Sequence, residues 1–245
     1  MKTMILAAGR GQRMRPLTDH TPKPLLPVGG QPLITWHLKR LAAAGLHEVV
    51  INHAWLGEQI EATLGDGRQW GVSITYSPEA TALETAGGIA HAMPLLGNDP
   101  FLVINADIWC DWPLERALAI ARQWRATIDA SPALAHLVLV ANPTHHPDGD
   151  FAIDDQGQLS ALSHPRLTYA GLGVYQPALF KGLTAKRLAP GAAPLGPLLK
   201  AAMANGQISG EVHQGQWIDI GTPDRLARLD EQINRANLQP STTRR

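Results

Sequence analysis

Gly9, Arg10, Gly11, Arg13, Arg15 and Lys23 crowd into the first 23 residues, directly after the short apolar run Met4–Ala8. Glycines let backbone N–H groups approach an anion closely, and the cations neutralise it. At the end of a buried strand this arrangement fits a polyphosphate, so the chain is expected to handle a nucleotide. Two better-known phosphate loops are excluded by spacing. A dinucleotide fold needs a third glycine where this chain has Met14, and the Gly-Lys-Ser/Thr of a P-loop is absent.

Asp107 follows a second apolar run, Phe101–Ile104, in Asn105-Ala106-Asp107. An acid at the carboxyl end of a parallel strand sits at the crevice where open α/β sheets bind ligands. Beside a polyphosphate its natural partner is a hard divalent cation. Magnesium accepts one or two carboxylates, keeps waters and completes its shell with phosphate oxygens. Asp219 stands in Trp217-Ile218-Asp219-Ile220-Gly221-Thr222, where apolar neighbours make a lone carboxylate costly unless paired or metal-bound. For either acid alone, a helix cap or a structural hydrogen bond is an equal alternative. Together with the basic loop, the two point to a metal.

Three further groups are candidates. Glu84-Thr85-Ala86-Gly87-Gly88 is a second glycine-rich turn whose small residues admit a flat base; a helix start capped by Thr85 competes with that reading. Gly149-Asp150 and Gly171-Leu172-Gly173 could line a sugar pocket, and glycine bulges in strands explain them equally well. His145-His146 is set aside as a solvated loop, because adjacent side chains point apart and Pro143, Pro147 and Gly149 surround them. The seven scattered tryptophans lack the basic interleaving of a single-strand nucleic-acid platform and are assigned to packing.

The elements that must position these residues follow from hydrophobic patterning. Met4–Ala8, Val49–Ile51, Phe101–Ile104 and Leu137–Ala141 are continuous apolar runs, as in parallel strands buried on both faces. Helical patterns lie between them, from Pro32 to Ala42, Gly57 to Leu64, Gly88 to Leu96 and Leu114 to Trp124. Alternation of this kind implies right-handed crossovers and an α/β, Rossmann-like, doubly wound, mostly parallel sheet. After residue 142 a hairpin is expected around Asp155-Gln156-Gly157, strands over Tyr169–Tyr175 and Val212–Ile220, a helix over Leu195–Met203, and a last helix capped by Thr222 with Pro223 at its first position. One domain is expected over 1–236, with a nucleotide lobe at about 1–142 and a sugar lobe at about 143–215; Asn237–Arg245 reads as a disordered tail.

Composition narrows the partners. The 245 residues are 44% hydrophobic, enough for a sizeable core, and carry 21 basic and 21 acidic side chains. With no global positive field, nucleic acid is not the expected partner. Cys110 is the only cysteine, which excludes an intrachain disulfide and argues against a cysteine-ligated zinc site. No signal peptide and no membrane-spanning run is seen, and the expected location is cytoplasmic.

The run Leu6-Ala-Ala-Gly-x-Gly-x-Arg-Met-x-Pro-Leu-Thr with Pro22-Lys23-Pro24-Leu25-Leu26-Pro27-Val28 resembles the sugar-1-phosphate nucleotidylyltransferases. Asn52-His53-Ala54-Trp55-Leu56, Leu83-Glu84-Thr85-x-Gly87-Gly88-Ile89, Asn105-x-Asp107-Ile108-Trp109, Gly149-Asp150-Phe151 and Trp217–Thr222 continue the resemblance in family order. It implies the nucleotide-diphospho-sugar transferase type of sheet with a small sugar-binding lobe. The activity implied is transfer of a uridylyl group from UTP to N-acetylmuramate α-1-phosphate, in peptidoglycan recycling, by a monomer or small homo-oligomer; guanylyl transfer to mannose 1-phosphate is the alternative. The resemblance implies that Ala7, Gly9, Gly11, Gln12, Arg13, Lys23, Ala86 and Gly87 bind the nucleotide. It further implies that Asn105, Asp150 and Gly171 face the sugar and that Asp107 and Asp219 hold Mg2+. Lys23, Arg13 and Asp107 are the implied catalytic set. Ala86 and Ala106 stand where glycine is usual in the family, and the Glu-Lys pair of hexose relatives is not visible near Leu162–His164. The lactyl carboxylate of N-acetylmuramate needs a cation or donor nearby, for which Arg166 and His164 are the candidates by location.

Overall fold

The chain enters through β1 (Thr3–Leu6), forms a hairpin of β2 (Pro27–Val28) and β3 (Gln31–Pro32), and turns into α1 (Leu33–Ala43). There follow β4 (Glu48–His53), α2 (Gly57–Leu64), β5 (Ser73–Pro78), α3 (Glu84–Leu96), β6 (Phe101–Asn105), β7 (Ile108–Cys110) and α4 (Glu115–Ala126). The second half contains β8 (Ala135–Val140), β9 (Ala152–Ile153), β10 (Leu159–Ser160), β11 (Thr168–Tyr175), α5 (Leu195–Met203), β12 (Ile208–Val212), β13 (Trp217–Asp219) and α6 (Pro223–Leu238). This computed structural model describes residues 1–126, 133–183 and 193–238. Of the expected tail, 239–245 lie outside the described residues, while Asn237 and Leu238 close α6.

Seven strands form one sheet in the order β12-β8-β11-β6-β1-β4-β5. β1 is parallel to β4 on one side and to β6 on the other, and β11 is antiparallel to both β6 and β8. The chain therefore moves outward from β1 to β4 and β5, then returns across to β6. That reversal opens a crevice beyond the carboxyl ends of β1 and β6, where ligands bind in such sheets.

Alternation along β1 shows why both faces must be covered. Ile5 packs into a core with Leu38 and Leu41 of α1, Ile60 of α2 and Ala117 of α4, whereas Met4 points to the opposite core with Ile89 and Ala92 of α3 and Leu199 of α5. A third cluster joins Met14, in the loop after β1, to Ile220 and to Leu226, Leu229 and Ile233 of α6. The last helix thus holds the first loop in place.

Two expectations need correction. The strand expected over Val212–Ile220 is two strands: β12 joins the main sheet beside β8, and β13 leaves it to pair antiparallel with β7. His213 to Gln216 separate them; there the His213 imidazole meets Asp111, and the Asp111 N–H reaches the Gln216 carbonyl at 3.1 Å. The helix expected from Gly88 starts four residues earlier, at Glu84, so Thr85 lies inside its first turn and Leu83 takes the cap position.

Candidate active site

The loop after β1 is shaped by Gly11. Its φ is +64°, and a Cβ there would stand 3.0 Å from Thr18 Cγ2 and 3.3 Å from Lys23 Cβ. Only glycine takes that conformation readily with neighbours so near. The Gly11 carbonyl accepts the Met14 N–H and the Thr18 hydroxyl, both at 2.8 Å, and so closes the turn. Trp55, just past β4, donates from Nε1 to the Thr18 carbonyl at 3.1 Å, and the Arg10 guanidinium lies 4.3 Å from its ring centre.

Lys23 begins a short 3-10 turn and is buried, yet its Nζ reaches the half-exposed Asp107 at 2.5 Å from Oδ2. Asp107 is placed by two ladders. The Ala106 N–H extends the β1–β6 pairing to the Leu6 carbonyl at 3.0 Å, and the Asp107 carbonyl accepts the Ile220 N–H at 2.7 Å. Because Asp219 pairs with Ile108 across β7 and β13, the two aspartates occupy neighbouring positions on one cavity wall. Asp107 Oδ1 has no protein partner among the described residues. Asp219 is held by the Arg225 guanidinium at Oδ2 and by His145 Nε2, 3.1 Å from Oδ1. Gly221 makes room for Arg225, whose Nη2 would lie 2.5 Å from a Cβ at that position. Among the described residues no group of three or more His, Cys, Asp or Glu side chains gathers as a ready metal cage. Two adjacent carboxylates with an open oxygen suit a cation whose remaining ligands come from phosphate and water.

Two cavities meet here. The first, about 540 Å³, is lined by Ala7, Gly9, Gly11, Gln12, Lys23 and the turn Glu84-Thr85, among others. The second, about 340 Å³, is lined by His145, His146, Tyr169, Gly171, Trp217 and Asp219, among others. Arg13, Asn105 and Asp107 belong to both. Arg13 forms no ion pair among the described residues. Gly171, at φ +74°, leaves room for Asn105, since a Cβ there would come within 2.7 Å of Asn105 Nδ2. Gly171 sits at a register shift in β11, so it is both a strand irregularity and a cavity wall.

Some expected residues lie elsewhere. Ala86 and Gly87 do not line the first cavity. Their N–H groups bond to the Ala193 carbonyl at 2.9 and 3.1 Å, behind the wall that Glu84 and Thr85 form. Asp150 does not line the second cavity; it accepts the Tyr169 N–H at 2.8 Å through Oδ2. Arg166 turns its Nε toward the Ser163 carbonyl, and neither it nor His164 lines either cavity.

The structure also adds residues. A buried relay runs from the Ala7 N–H to Asn52 Oδ1 (3.0 Å), from Asn52 Nδ2 to Glu79 Oε1 (2.7 Å), and from the Leu83 N–H to Glu79 Oε2 (2.9 Å). It ties β1 to the turn that opens α3. Arg225 carried one readable signal. A cation in the first turn of a helix opposes the helix dipole and calls for a nearby anion, which Asp219 supplies. His145, set aside as solvated, is the other partner of that acid.

Residues 2–236 match the family described as nucleotidyl transferase. The chain is 52% identical over 229 residues to N-acetylmuramate alpha-1-phosphate uridylyltransferase of Neisseria meningitidis serogroup B, covering 92% of this chain and 95% of the relative. It is 34% identical to the protein of the same name from Caulobacter vibrioides, over 95% and 97% of the two chains. A mannose-1-phosphate guanylyltransferase of Mycobacterium tuberculosis is 32% identical over 92% of this chain and 62% of its own. A crystal structure from Bacillus anthracis, described as a glucose-1-phosphate thymidylyltransferase, superposes with a TM-score of 0.81 over 98% of both chains at 22% identity, which establishes the fold.

Proposed function

The chain belongs to the nucleotidyl transferase family, and from that premise we propose that it transfers the uridylyl group of UTP to N-acetylmuramate α-1-phosphate, releasing pyrophosphate. The observation that carries the reading is the seam. Arg13, Asn105 and Asp107 line both cavities, and the Lys23–Asp107 pair lies on that seam. A nucleoside triphosphate in the first cavity and a sugar phosphate in the second would meet there. The uridylyl assignment is favoured by the Neisseria relative, which is more similar than the guanylyltransferase relative.

In the reaction an oxygen of the sugar phosphate attacks the α-phosphorus of UTP. The bond to the bridging oxygen breaks, and its electron pair leaves with pyrophosphate. The obstacle is repulsion between two anionic groups, so catalysis rests on positioning and charge stabilisation. Lys23 contributes a positive charge fixed by burial, so it needs little rearrangement when the phosphates arrive. Arg13, free of acidic partners among the described residues, contributes a second from the rim. Asn105, for which Gly171 leaves room, orients the sugar phosphate at the seam. Mg2+, held by Asp107 and Asp219 when bound, would screen the phosphate charges and stabilise the departing pyrophosphate. Arg225 and His145 hold the Asp219 carboxylate on the cavity wall. The reading carries a cytoplasmic location; no helix among the described residues is long and apolar enough to cross a membrane.

The test is pyrophosphate release from UTP, dTTP, GTP and CTP, each paired with the 1-phosphates of N-acetylmuramate, N-acetylglucosamine, glucose and mannose, with magnesium and with chelator. The expected maximum is UTP with N-acetylmuramate 1-phosphate, abolished by chelation. A maximum at GTP with mannose 1-phosphate would overturn the assignment.

A further inference from the structure

The loop that carries His145 and His146 reads from sequence as solvated, yet the structure pins it. Asn142 donates from Nδ2 to the carbonyls of Pro147 (2.8 Å) and Arg166 (3.0 Å) and accepts the Thr168 hydroxyl at 2.9 Å. Gly149 has φ +60°, and a Cβ there would lie 2.8 Å from both the Arg166 carbonyl and Asn142 Oδ1. Asp150 anchors the far end through Oδ2 on the Tyr169 N–H and offers Oδ1 to His146 Nε2 at 3.2 Å. Its carboxylate is therefore engaged in holding the turn and the imidazole rather than facing a sugar hydroxyl. His146 is delivered to the wall of the second cavity, with Nδ1 unpartnered among the described residues.

We propose that His146 is the group that reads the carboxylate distinguishing an acidic sugar 1-phosphate from its neutral counterpart. This deepens the proposed transfer to N-acetylmuramate phosphate and rests on it. The other charged side chains and imidazoles near that cavity are committed or displaced, and Asn105 lies at the seam with the nucleotide cavity. Asp107 and Asp219 repel a carboxylate. Arg13 is shared with the nucleotide cavity. His145 Nε2 is enclosed by Arg225 Nη1 at 2.7 Å and by Asp219. Arg166 and His164 stand outside. His146 remains on a braced turn; as the imidazolium, with Nε2–H on Asp150, it would offer Nδ1–H to a carboxylate, and a site built to hydrogen-bond a substrate group discriminates against the analogue that lacks it.

The test pairs two substrates with two variants. N-acetylmuramate 1-phosphate and the analogue whose lactyl carboxylate is a carboxamide are compared by kcat/KM for pyrophosphate release from UTP, using wild type, His146→Ala and His146→Gln. Wild type is expected to favour the acid by about ten- to hundredfold, as for a hydrogen bond to a charged group. His146→Ala should bring the two substrates to near equality, and His146→Gln, a neutral donor, should fall between. A gap that survives in His146→Ala overturns the inference. Wild type with no gap also overturns it, while uridylyl transfer stands. Wild type that turns over neither compound refutes the proposed substrate itself, and the inference with it.

Discussion

Lys23 and Asp107 are the side chains on which the rate should depend most. Their charges lie where two anionic substrates must touch, and removing one preorganised electrostatic donor commonly costs about 3–4 kcal/mol, or about a hundred- to thousandfold in kcat. That loss is expected for Lys23→Ala, and at least as much for Asp107→Asn, in steady-state pyrophosphate release with the fold checked by circular dichroism. Near-normal turnover in either variant would remove it from the mechanism. These residues, with Asp219 and the first glycines, could be read from the chain because each announces itself locally: a cation crowd after a strand, or an acid inside an apolar run. Glu79, His145 and His146 could not. Glu79 works through Asn52 and the Leu83 N–H, and His145 through an acid far along the chain, so their roles exist only once the sheet has folded. The adjacency of His145 and His146 even argued against a site, although facing apart is how one serves Asp219 and the other reaches Asp150. Ala86 and Gly87 show the converse: a glycine-rich turn beside a cavity wall whose N–H groups bond to the Ala193 carbonyl instead.

Among the elements, α6 has a role beyond carrying Arg225 to Asp219. Leu229 is 1% exposed and packs in the cluster that holds Met14, whereas Leu199 of α5, also 1% exposed, packs on the far face of the sheet. Leu229→Ala and Leu199→Ala should each destabilise by about 2–5 kcal/mol in urea unfolding. Only Leu229→Ala should also raise KM for the nucleotide, because it loosens the loop after β1. Equal KM in the two variants would contradict the clamp. The parallel core strands and most helices were readable, since continuous apolar runs and the 3.6 period survive without tertiary context. β5 was not, because Ser73-Ile74-Thr75-Tyr76-Ser77-Pro78 alternates as an edge strand does and forms no apolar run. Nor was the break between β12 and β13 readable, since it depends on which sheet each strand joins.

For the whole molecule, stability should fall on mild acidification. Burial, reinforced by the Arg40 charge, holds the His37 imidazole down from 6.5 to about 4. The unfolded chain therefore binds a proton below pH 6.5 that the folded chain refuses until about pH 4, so this contribution is complete above 6.5 and lost across that window. The loss amounts to about 3 kcal/mol. Burial lowers His136 as well, which adds in the same direction. The urea midpoint of wild type should drop between those pH values, and His37→Gln should drop less; parallel curves would contradict the assignment. The same whole-molecule geometry sets two cavities against one shared seam, and this predicts direct transfer between two substrates bound together. The stereochemical course at the α-phosphorus reports on that most directly. With UTP made chiral at a sulfur-substituted α-phosphate, one in-line displacement predicts inversion of configuration in the nucleotide sugar. Retention would mean two displacements through a covalent nucleotidyl enzyme, and the shared seam would not be where the reaction occurs.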